Sequence, residues 1–190
     1  MTDLLIVLVL VAAACGGDSI VDAANGANMV IIRDECDPAT FNAALGPGAC
    51  ARQGNVTFDR FMNELTTTQR VTAWQFVPPL FTVRVGQSIT VQNQGGEVHT
   101  FTRVSQFGGG VVPELNTASG NRVPAAECVT LPSTAEIVSG GAVSVPPDST
   151  IGTALYQCCI HPWMRTVIEV EDPGPSNATT APAVATHDHH

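Results

Sequence analysis

The stretch from Tyr156 to Met164 decides how this chain is interpreted, and it reads Tyr-Gln-Cys-Cys-Ile-His-Pro-Trp-Met. It places a thiol at Cys158, an imidazole at His161 and a thioether at Met164, in a Cys-x-x-His-x-x-Met spacing. These side chains are soft or intermediate metal ligands, and their close spacing lets one tight loop present all three to a single ion. The stretch therefore predicts a metal-binding loop that still needs one ligand.

The missing ligand is a second imidazole. A blue-copper site combines one thiolate and two imidazoles in a trigonal plane with a weak axial thioether. Apart from its last few residues, the chain has only one other histidine, His99, which follows Asn93 and a Gly-Gly pair at the start of a predicted strand. The sequence thus predicts one copper ion that cycles between Cu(I) and Cu(II). Its predicted ligands are His99, Cys158, His161 and Met164.

Charge excludes several classes of function. The 190-residue chain carries a formal net charge of -9, with 17 acidic residues, 8 arginines and no lysine. Nucleic-acid binding needs a basic surface for phosphate contacts, so no nucleic-acid partner is expected. Without lysine, neither a phosphate-binding loop of the Walker type nor Schiff-base catalysis is available.

The N-terminus predicts export. Leu4 to Ala14 is an apolar run of 11 residues, too short to span a bilayer and suited to the core of a signal peptide. Three alanines then precede Cys15, which resembles the end of a bacterial lipobox and predicts lipidation of that cysteine. Ala12 departs from the usual leucine, and no positive charge precedes the run. A signal peptide over 1–15 is therefore predicted, with a flexible tether over 16–28; a plain cleaved signal with an incidental Cys15 is the alternative.

Residues 29–75 are predicted to form a helical N-terminal extension. After a possible short strand at 29–32, Asp37 and Pro38 favour the start of a helix that ends at Gly46. Thr57 is the predicted N-cap of a second helix. A disulfide is expected between the cysteines that flank the first helix, although free thiols or metal binding remain alternatives. These cysteines are Cys36 and Cys50.

Beyond Trp74 the apolar residues alternate, which indicates strands. The segments 81–85 and 89–92 predict two half-buried antiparallel strands joined by a tight turn at Gly86-Gln87. Further strands are expected at 99–104, 137–145, 153–156 and 167–170, with a turn-rich excursion from 108 to 127. Many short strands favour a β-sandwich. Residues 173–190 are polar and rich in Pro, Ala and Thr, and predict a disordered tail ending in histidines.

The segment 76–172 resembles the cupredoxins, the blue-copper β-sandwich family. The resemblance rests on a strand-end histidine after an Asn-containing turn, and on a Tyr-x-Cys-x-x-His-Pro-x-Met loop of the amicyanin or plastocyanin type. It implies an all-β Greek-key sandwich, the four ligands named above and electron transport. It also implies that His161 is partly exposed and serves as the electron port, within an apolar docking patch that contains Pro162 and Trp163.

Cys159 departs from the family pattern. Strand alternation points Cys158 and Cys159 to opposite sides, and Cys158 has the required spacing to His161. Cys159 then needs a partner, and Cys128 is the natural one once Cys36 and Cys50 are paired.

Three further residues are candidates for the surroundings of the metal. Asn93 is a possible hydrogen-bonding residue near the ligand loops, and Thr100 stands where many family members have an asparagine. Glu97 is close enough in sequence to His99 to reach the metal, which would give a harder site that binds an added ligand.

These observations predict an exported, lipid-anchored protein on a bacterial membrane, periplasmic or at the cell surface. As a monomer it would carry single electrons between redox partner proteins and would not be an enzyme. Three alternatives remain open: a copper carrier or store, a copper site with an open position near Glu97 that binds a small molecule, and a disulfide-stabilised sandwich with vestigial ligands. In the carrier, a terminal group of histidines would help to load copper: His187, His189 and His190.

Overall fold

The N-terminal segment forms one strand and two helices in the computed structural model, which describes residues 28–146 and 149–172. Strand β1 (Met29–Arg33) buries alternate side chains, and helices α1 (Pro38–Leu45) and α2 (Phe58–Thr68) follow. The predicted caps are confirmed, since the side chains of Asp37 and Thr57 accept from the backbone N–H groups at the third residue of each helix. The predicted disulfide between Cys36 and Cys50 is also present.

The remaining strands build two four-stranded sheets. The first has the order β2-β1-β4-β8 and the second β3-β10-β9-β6, while β5 and β7 form a separate short pair. Their bounds are β2 Gln75–Val77, β3 Leu80–Arg84, β4 Ile89–Asn93, β5 His99–Thr100, β6 Thr102–Val104, β7 Glu136–Ile137, β8 Ala142–Val145, β9 Gly152–Gln157 and β10 Arg165–Glu171. Strand β1 is parallel to β4, and β10 is parallel to β3; the other pairs are antiparallel. The predicted all-β sandwich with a few helices is confirmed.

The expected pairing of β3 with β4 is wrong. Both strands form where alternation predicts them, but β3 pairs with β10 in one sheet and β4 with β1 and β8 in the other. Gly86, which lies between them with φ of 84°, lets the chain cross between the sheets. Alternation shows only that one face of each strand is buried, and a facing sheet satisfies that condition as well as a hairpin partner does.

The excursion from 108 to 127 contains helical turns that the sequence pattern did not indicate. Helix α3 (Pro113–Ala118) lies within it, and α4 (Ala126–Val129) and a 3₁₀ turn (Ser133–Ala135) follow. Cys128 on α4 forms the second disulfide with Cys159, as predicted. This bond belongs to a small separate apolar cluster beside the main core, and it ties the excursion to the end of β9.

Residues 29–75 share the core of the sandwich. Val30 and Ile32 of β1 are buried together with Val91 of the first sheet and Ile168 of the second. The predicted boundary at residue 76 therefore marks where the family resemblance begins, and packing continues across it.

No helix among the described residues is long and apolar enough to cross a membrane. The predicted signal peptide with Cys15, residues 16–27 of the tether and the tail 173–190 with its three histidines lie outside the described residues.

Candidate metal centre

The ligand loop spans Cys158 to Met164 and connects β9 to β10. Two backbone hydrogen bonds close it, from Cys158 N to the Met164 carbonyl (3.0 Å) and from Met164 N to the His161 carbonyl (2.9 Å). Because β9 and β10 are paired up to Gln157 and Arg165, the loop is held at the end of the second sheet. Local hydrogen bonding thus sets the separation of its side chains.

His99 comes from a different part of the sandwich. It begins β5, after a connection that Asn93 holds in place: the Asn93 amide donates to the carbonyls of Glu97 and Ile137 (both 2.8 Å) and accepts from Gly95 N (2.9 Å). This arrangement places His99 beside the ligand loop, although His99 and Cys158 are 59 residues apart in the sequence.

The structure brings together three of the four predicted ligands. Cys158 Sγ lies 3.8 Å from His99 Nδ1 and 3.9 Å from His161 Nδ1. The donor atoms of all three residues lie within 4.8 Å of one another, and all three residues are buried. Cys158 is also the one free cysteine among the described residues.

The two sulfur–nitrogen separations fit one metal ion that would be bound by all three residues. With a metal–sulfur distance of about 2.3 Å, a metal–nitrogen distance of about 2.0 Å, as for zinc, and an angle of about 120° between them, sulfur and nitrogen would lie about 3.7 Å apart. One thiolate with two imidazoles is the donor set of a blue-copper site. Met164 is buried on the same loop, and its role as the axial ligand stays a prediction.

The surroundings of Cys158 favour a thiolate. Burial by itself raises the pKa of this thiol, but hydrogen bonding and charge from His161 and His99 lower the pKa well below its usual value. Two backbone N–H groups also point at the sulfur, from Thr100 (3.5 Å) and His161 (3.4 Å). A metal ligand must be deprotonated, so these contacts prepare the sulfur for that role.

Thr100 contacts both of the adjacent cysteines, Cys158 and Cys159. Its hydroxyl accepts from the backbone N–H of Cys159 at 2.7 Å, while its own N–H is directed at Cys158 Sγ. With Cys159 bound to Cys128, only Cys158 faces the histidines.

The outer nitrogen of His99 contacts a buried carboxylate. Asp34, directly after β1, lies with Oδ2 2.8 Å from His99 Nε2, and both side chains are fully buried. Asp34 also accepts from the backbone N–H groups of Cys36, Gly96 and Glu97. All these backbone groups can only donate, so Asp34 acts as an acceptor. His99 then donates from Nε2, so Nδ1, which lies 3.8 Å from Cys158 Sγ, is the nitrogen that would bind a metal once it loses its proton.

The pKa values of this pair agree with that assignment. Burial alone would raise the pKa of Asp34, but the hydrogen bond and charge of His99, with the backbone N–H groups, lower it to about 2. Burial alone would lower the pKa of His99, whereas hydrogen bonds to Asp34 and Cys158 raise it to about 9. In the metal-free chain, the buried pair is therefore ionic.

Glu97 contacts the outer nitrogen of His161. Its Oε2 accepts from Trp74 Nε1 at 2.6 Å and lies 3.5 Å from His161 Nε2. The expectation that Glu97 could reach the metal is wrong for this structure, because the carboxylate is held on the far side of the imidazole. Burial is the main cause that raises the pKa of Glu97 above its ordinary value.

His161 is covered by aromatic side chains, which corrects the expected exposure of the electron port. Only 3% of His161 is exposed, and its ring packs edge-on against Phe61 of α2 (6.4 Å between centroids) and Trp163 (5.4 Å). Pro162 is buried too, whereas Trp163 is half-buried. The family resemblance implies that all three residues lie at the surface. Phe61 of helix α2, which lies outside that resemblance, packs against His161 and Trp163.

Gly95 and Gly96 allow the Asp34 carboxylate and the Cys36–Cys50 disulfide to lie close to the backbone that leads to His99. A side chain at Gly95 would collide with the Asp34 carboxylate, and one at Gly96 would collide with the sulfur atoms of Cys36 and Cys50. The Gly-Gly pair before His99 is therefore required by close packing on the N-terminal segment.

Sequence reasoning missed Asp34, Phe61 and Trp74. Phe61 and Trp74 were visible as apolar residues and Asp34 as an acid after a strand, but no short spacing links any of them to the ligands. Asp34 is 65 residues from His99, and Trp74 is 23 residues from Glu97.

Comparisons with known proteins identify distant structural likenesses. No protein-family model and no curated protein matches the chain. Among solved structures, "Novel Purple Cupredoxin from Nitrosopumilus maritimus" is 13% identical with a TM-score of 0.42, covering 75% of this chain and 98% of that one. Oxidised plastocyanin from Dryopteris crassirhizoma is 16% identical with a TM-score of 0.38, covering 75% and 99%. A reduced tryptophan-to-tyrosine variant of amicyanin is 22% identical with a TM-score of 0.36, covering 54% and 78%.

At these identities and scores, the interpretation of the site rests on the residues of this chain. The sandwich, together with the meeting of His99, Cys158 and His161 at its end, confirms the resemblance that the sequence motif indicated.

Proposed function

We propose that this protein is an exported mononuclear type 1 copper protein of the cupredoxin kind, which carries single electrons between redox partners outside the cytoplasm. The observation that supports this most directly is the contact of one buried free thiol with the Nδ1 atoms of two buried imidazoles. Met164 completes the proposed ligand set of one copper ion.

Bound copper supplies a one-electron couple between Cu(I) and Cu(II). The chain supplies a fixed and dry set of ligands. The loop hydrogen bonds hold Cys158, His161 and Met164, while Asn93 and Asp34 hold His99. N–H groups directed at the Cys158 sulfur tune the potential. Little has to move when the charge of the site changes.

The proposed docking patch centres on Trp163. Since His161 is covered, the half-buried indole that contacts its ring is the natural route from the site to the surface. Trp163 lines a surface cavity of about 250 Å³ together with Met164 and Trp74. Arg70 and Arg165 also line this cavity, so the proposed patch is an apolar centre with charged groups at its edge, which suits brief contact with a partner protein.

The compartment proposed is the outside of the cytoplasm. The disulfides Cys36–Cys50 and Cys128–Cys159 suit an oxidising environment. We propose that lipidated Cys15 anchors the protein, as a monomer, to a bacterial membrane. Expression in bacteria with labelled palmitate tests this: the label should enter the wild-type protein and be lost in Cys15→Ala. Equal labelling of both would exclude the anchor.

The optical and EPR spectra of the protein loaded with Cu(II) test the copper site. An intense visible thiolate-to-copper absorption with narrow copper hyperfine splitting is expected, together with a reversible one-electron couple. Cys158→Ser should abolish the absorption, whereas Cys159→Ser should retain it, because Cys159 faces Cys128. Absence of the absorption from the wild-type protein would refute the proposal.

A copper carrier is the second candidate, and the same protein tests it. The complete burial of Cys158 and His99 favours slow copper exchange and therefore electron transport. Rapid removal of copper by a chelator would instead favour the carrier.

A further inference from the structure

Each of the two imidazoles of the site contacts a buried carboxylate through its outer nitrogen. Asp34 Oδ2 lies 2.8 Å from His99 Nε2, and Glu97 Oε2 lies 3.5 Å from His161 Nε2. The side chains of the first pair are fully buried, and those of the second are at most 9% exposed. The site therefore has two acidic groups behind its ligands, where one neutral acceptor for each ring would suffice to fix its orientation.

The hydrogen-bond partners require both carboxylates to act as acceptors. Asp34 is surrounded by three backbone N–H groups in addition to His99, and these fill the four lone-pair positions of a carboxylate. Glu97 Oε2 accepts from the indole N–H of Trp74, which has no acceptor atom of its own. If Nδ1 of each ring binds a metal, Nε2 carries the hydrogen. His99 then donates it to Asp34, whereas the Nε2–H of His161 faces Glu97 Oε2 at the longer distance of 3.5 Å.

Charge then favours the oxidised ion. With both carboxylates ionised, they and the Cys158 thiolate contribute three negative charges, so the site would carry a net charge of about -1 with Cu(II) and about -2 with Cu(I). In a buried site, adding an electron to a group that is already negative is unfavourable. Carboxylates that accept from the outer N–H also make an imidazole a stronger donor, which stabilises Cu(II) further.

We propose that Asp34 and Glu97 are positioning residues that lower the reduction potential of the site by stabilising Cu(II) through both histidines. This inference rests on the proposed copper site. The reaction concerned is the uptake of one electron from a redox partner protein, with no bond made or broken. Asp34 should have the larger effect, because its contact is shorter and its side chain fully buried.

Potentiometry of the copper-loaded protein tests this with the variants Asp34→Asn and Glu97→Gln. Each removes one charge and keeps an oxygen that can accept from the histidine. In metal sites generally, mutation of the group that accepts a hydrogen bond from a ligand histidine lowers metal affinity by about 10- to 100-fold. If the affinity for Cu(II) falls tenfold relative to that for Cu(I), the potential rises by about 59 mV. We expect a rise in both variants, larger for Asp34→Asn, with the thiolate absorption retained.

Asp37→Asn is the matched control. It removes the same charge three residues from Asp34, and asparagine retains the helix cap. Its potential should equal that of the wild type. Should Asp34→Asn fail to fold, Glu97→Gln together with Cu(I) and Cu(II) affinities still decides the question.

The outcomes separate this inference from the proposed function. If the wild type shows the thiolate absorption but the potential of the folded variants is unchanged or lower, the carboxylate role is refuted and the copper site stands. If the wild type lacks the absorption, the copper site itself is refuted. A rise in the Asp37→Asn control equal to that in Asp34→Asn would reduce the effect to general surface charge and overturn the inference.

Discussion

The ligand loop (Cys158 to Met164) and the N-terminal segment (residues 29–75) contribute to the same site in different ways. The loop supplies three of the four proposed ligands within seven residues, and its own hydrogen bonds hold it. The N-terminal segment supplies no proposed ligand, yet it provides the carboxylate behind His99, the indole that holds Glu97 and the aromatic cover over His161. Most of the proposed ligands are therefore positioned locally, whereas the surroundings of the site are set by distant packing.

This difference means that the two regions can be perturbed separately. Changes in the N-terminal segment should alter stability, access and potential while the thiolate absorption persists. Changes in the ligand loop should alter the spectrum or the axial interaction with little effect on the rest of the fold.

Phe61→Ala should have the largest effect on stability. Phe61 is buried among Phe41, Phe58, Trp74 and Trp163, and the loss of such a side chain costs about 3–5 kcal/mol. Chemical denaturation measures that loss. The cavity would also expose His161, so electron self-exchange, measured by NMR line broadening, should become faster. Phe58→Ala is the control, because Phe58 packs on Phe41 and Phe61 and has no ring contact with His161; it should leave the exchange rate unchanged.

Removing the disulfide of the N-terminal segment should lower stability without changing the optical spectrum, whereas removing the disulfide of the ligand loop should change the spectrum. Replacing Cys36 and Cys50 by serine opens a loop with a sequence separation of 14 residues and should cost about 3 kcal/mol, with the absorption retained. Replacing Cys128 and Cys159 removes a bond that holds the ligand loop itself, and here the absorption should shift. Thermal unfolding and optical spectra of both pairs provide the measurement. Equal spectral changes in the two would contradict the separation of roles.

The metal-free protein should lose stability in acid through Asp34. The pKa of Asp34 is about 2 in the folded chain against 3.8 in the unfolded chain. Its contribution is therefore complete above pH 3.8 and is lost as the pH falls toward 2, by about 2 kcal/mol. Urea unfolding of the metal-free protein between pH 5 and pH 2 measures it. In Asp34→Asn the dependence should be flatter, and an unchanged slope would exclude Asp34 as its source.

Met164→Leu should have the smallest effect on stability. Leucine has a similar volume, so the free energy of unfolding should change by less than about 1.5 kcal/mol. The thiolate absorption should persist, because Cys158 and both histidines remain, while loss of the axial thioether should raise the potential. Potentiometry and denaturation of the same sample check both parts. An unchanged potential would exclude Met164 as a ligand.

Short-range features of the molecule were accessible from the sequence. Asp37 and Thr57 were identifiable as helix caps because a cap bonds to a backbone N–H three residues on. Alternation located β3 and β4, and the Cys-x-x-His-x-x-Met spacing located the ligand loop. His99 was found by a different route: the composition leaves few histidines, so the second imidazole could be assigned although it is distant in sequence.

Tertiary structure alone decided the rest. Alternation does not show which sheet a strand joins. It therefore could not predict that β3 and β4, although consecutive, lie in different sheets. The roles of Asp34, Phe61 and Trp74 depend on contacts across tens of residues, with no periodicity that would show them. The exposure of His161 was inferred from a resemblance that excludes α2, and α2 is the element that covers it. Donor identity is a property of spacing and composition, whereas burial and the partner of each outer nitrogen are properties of how separate segments pack together.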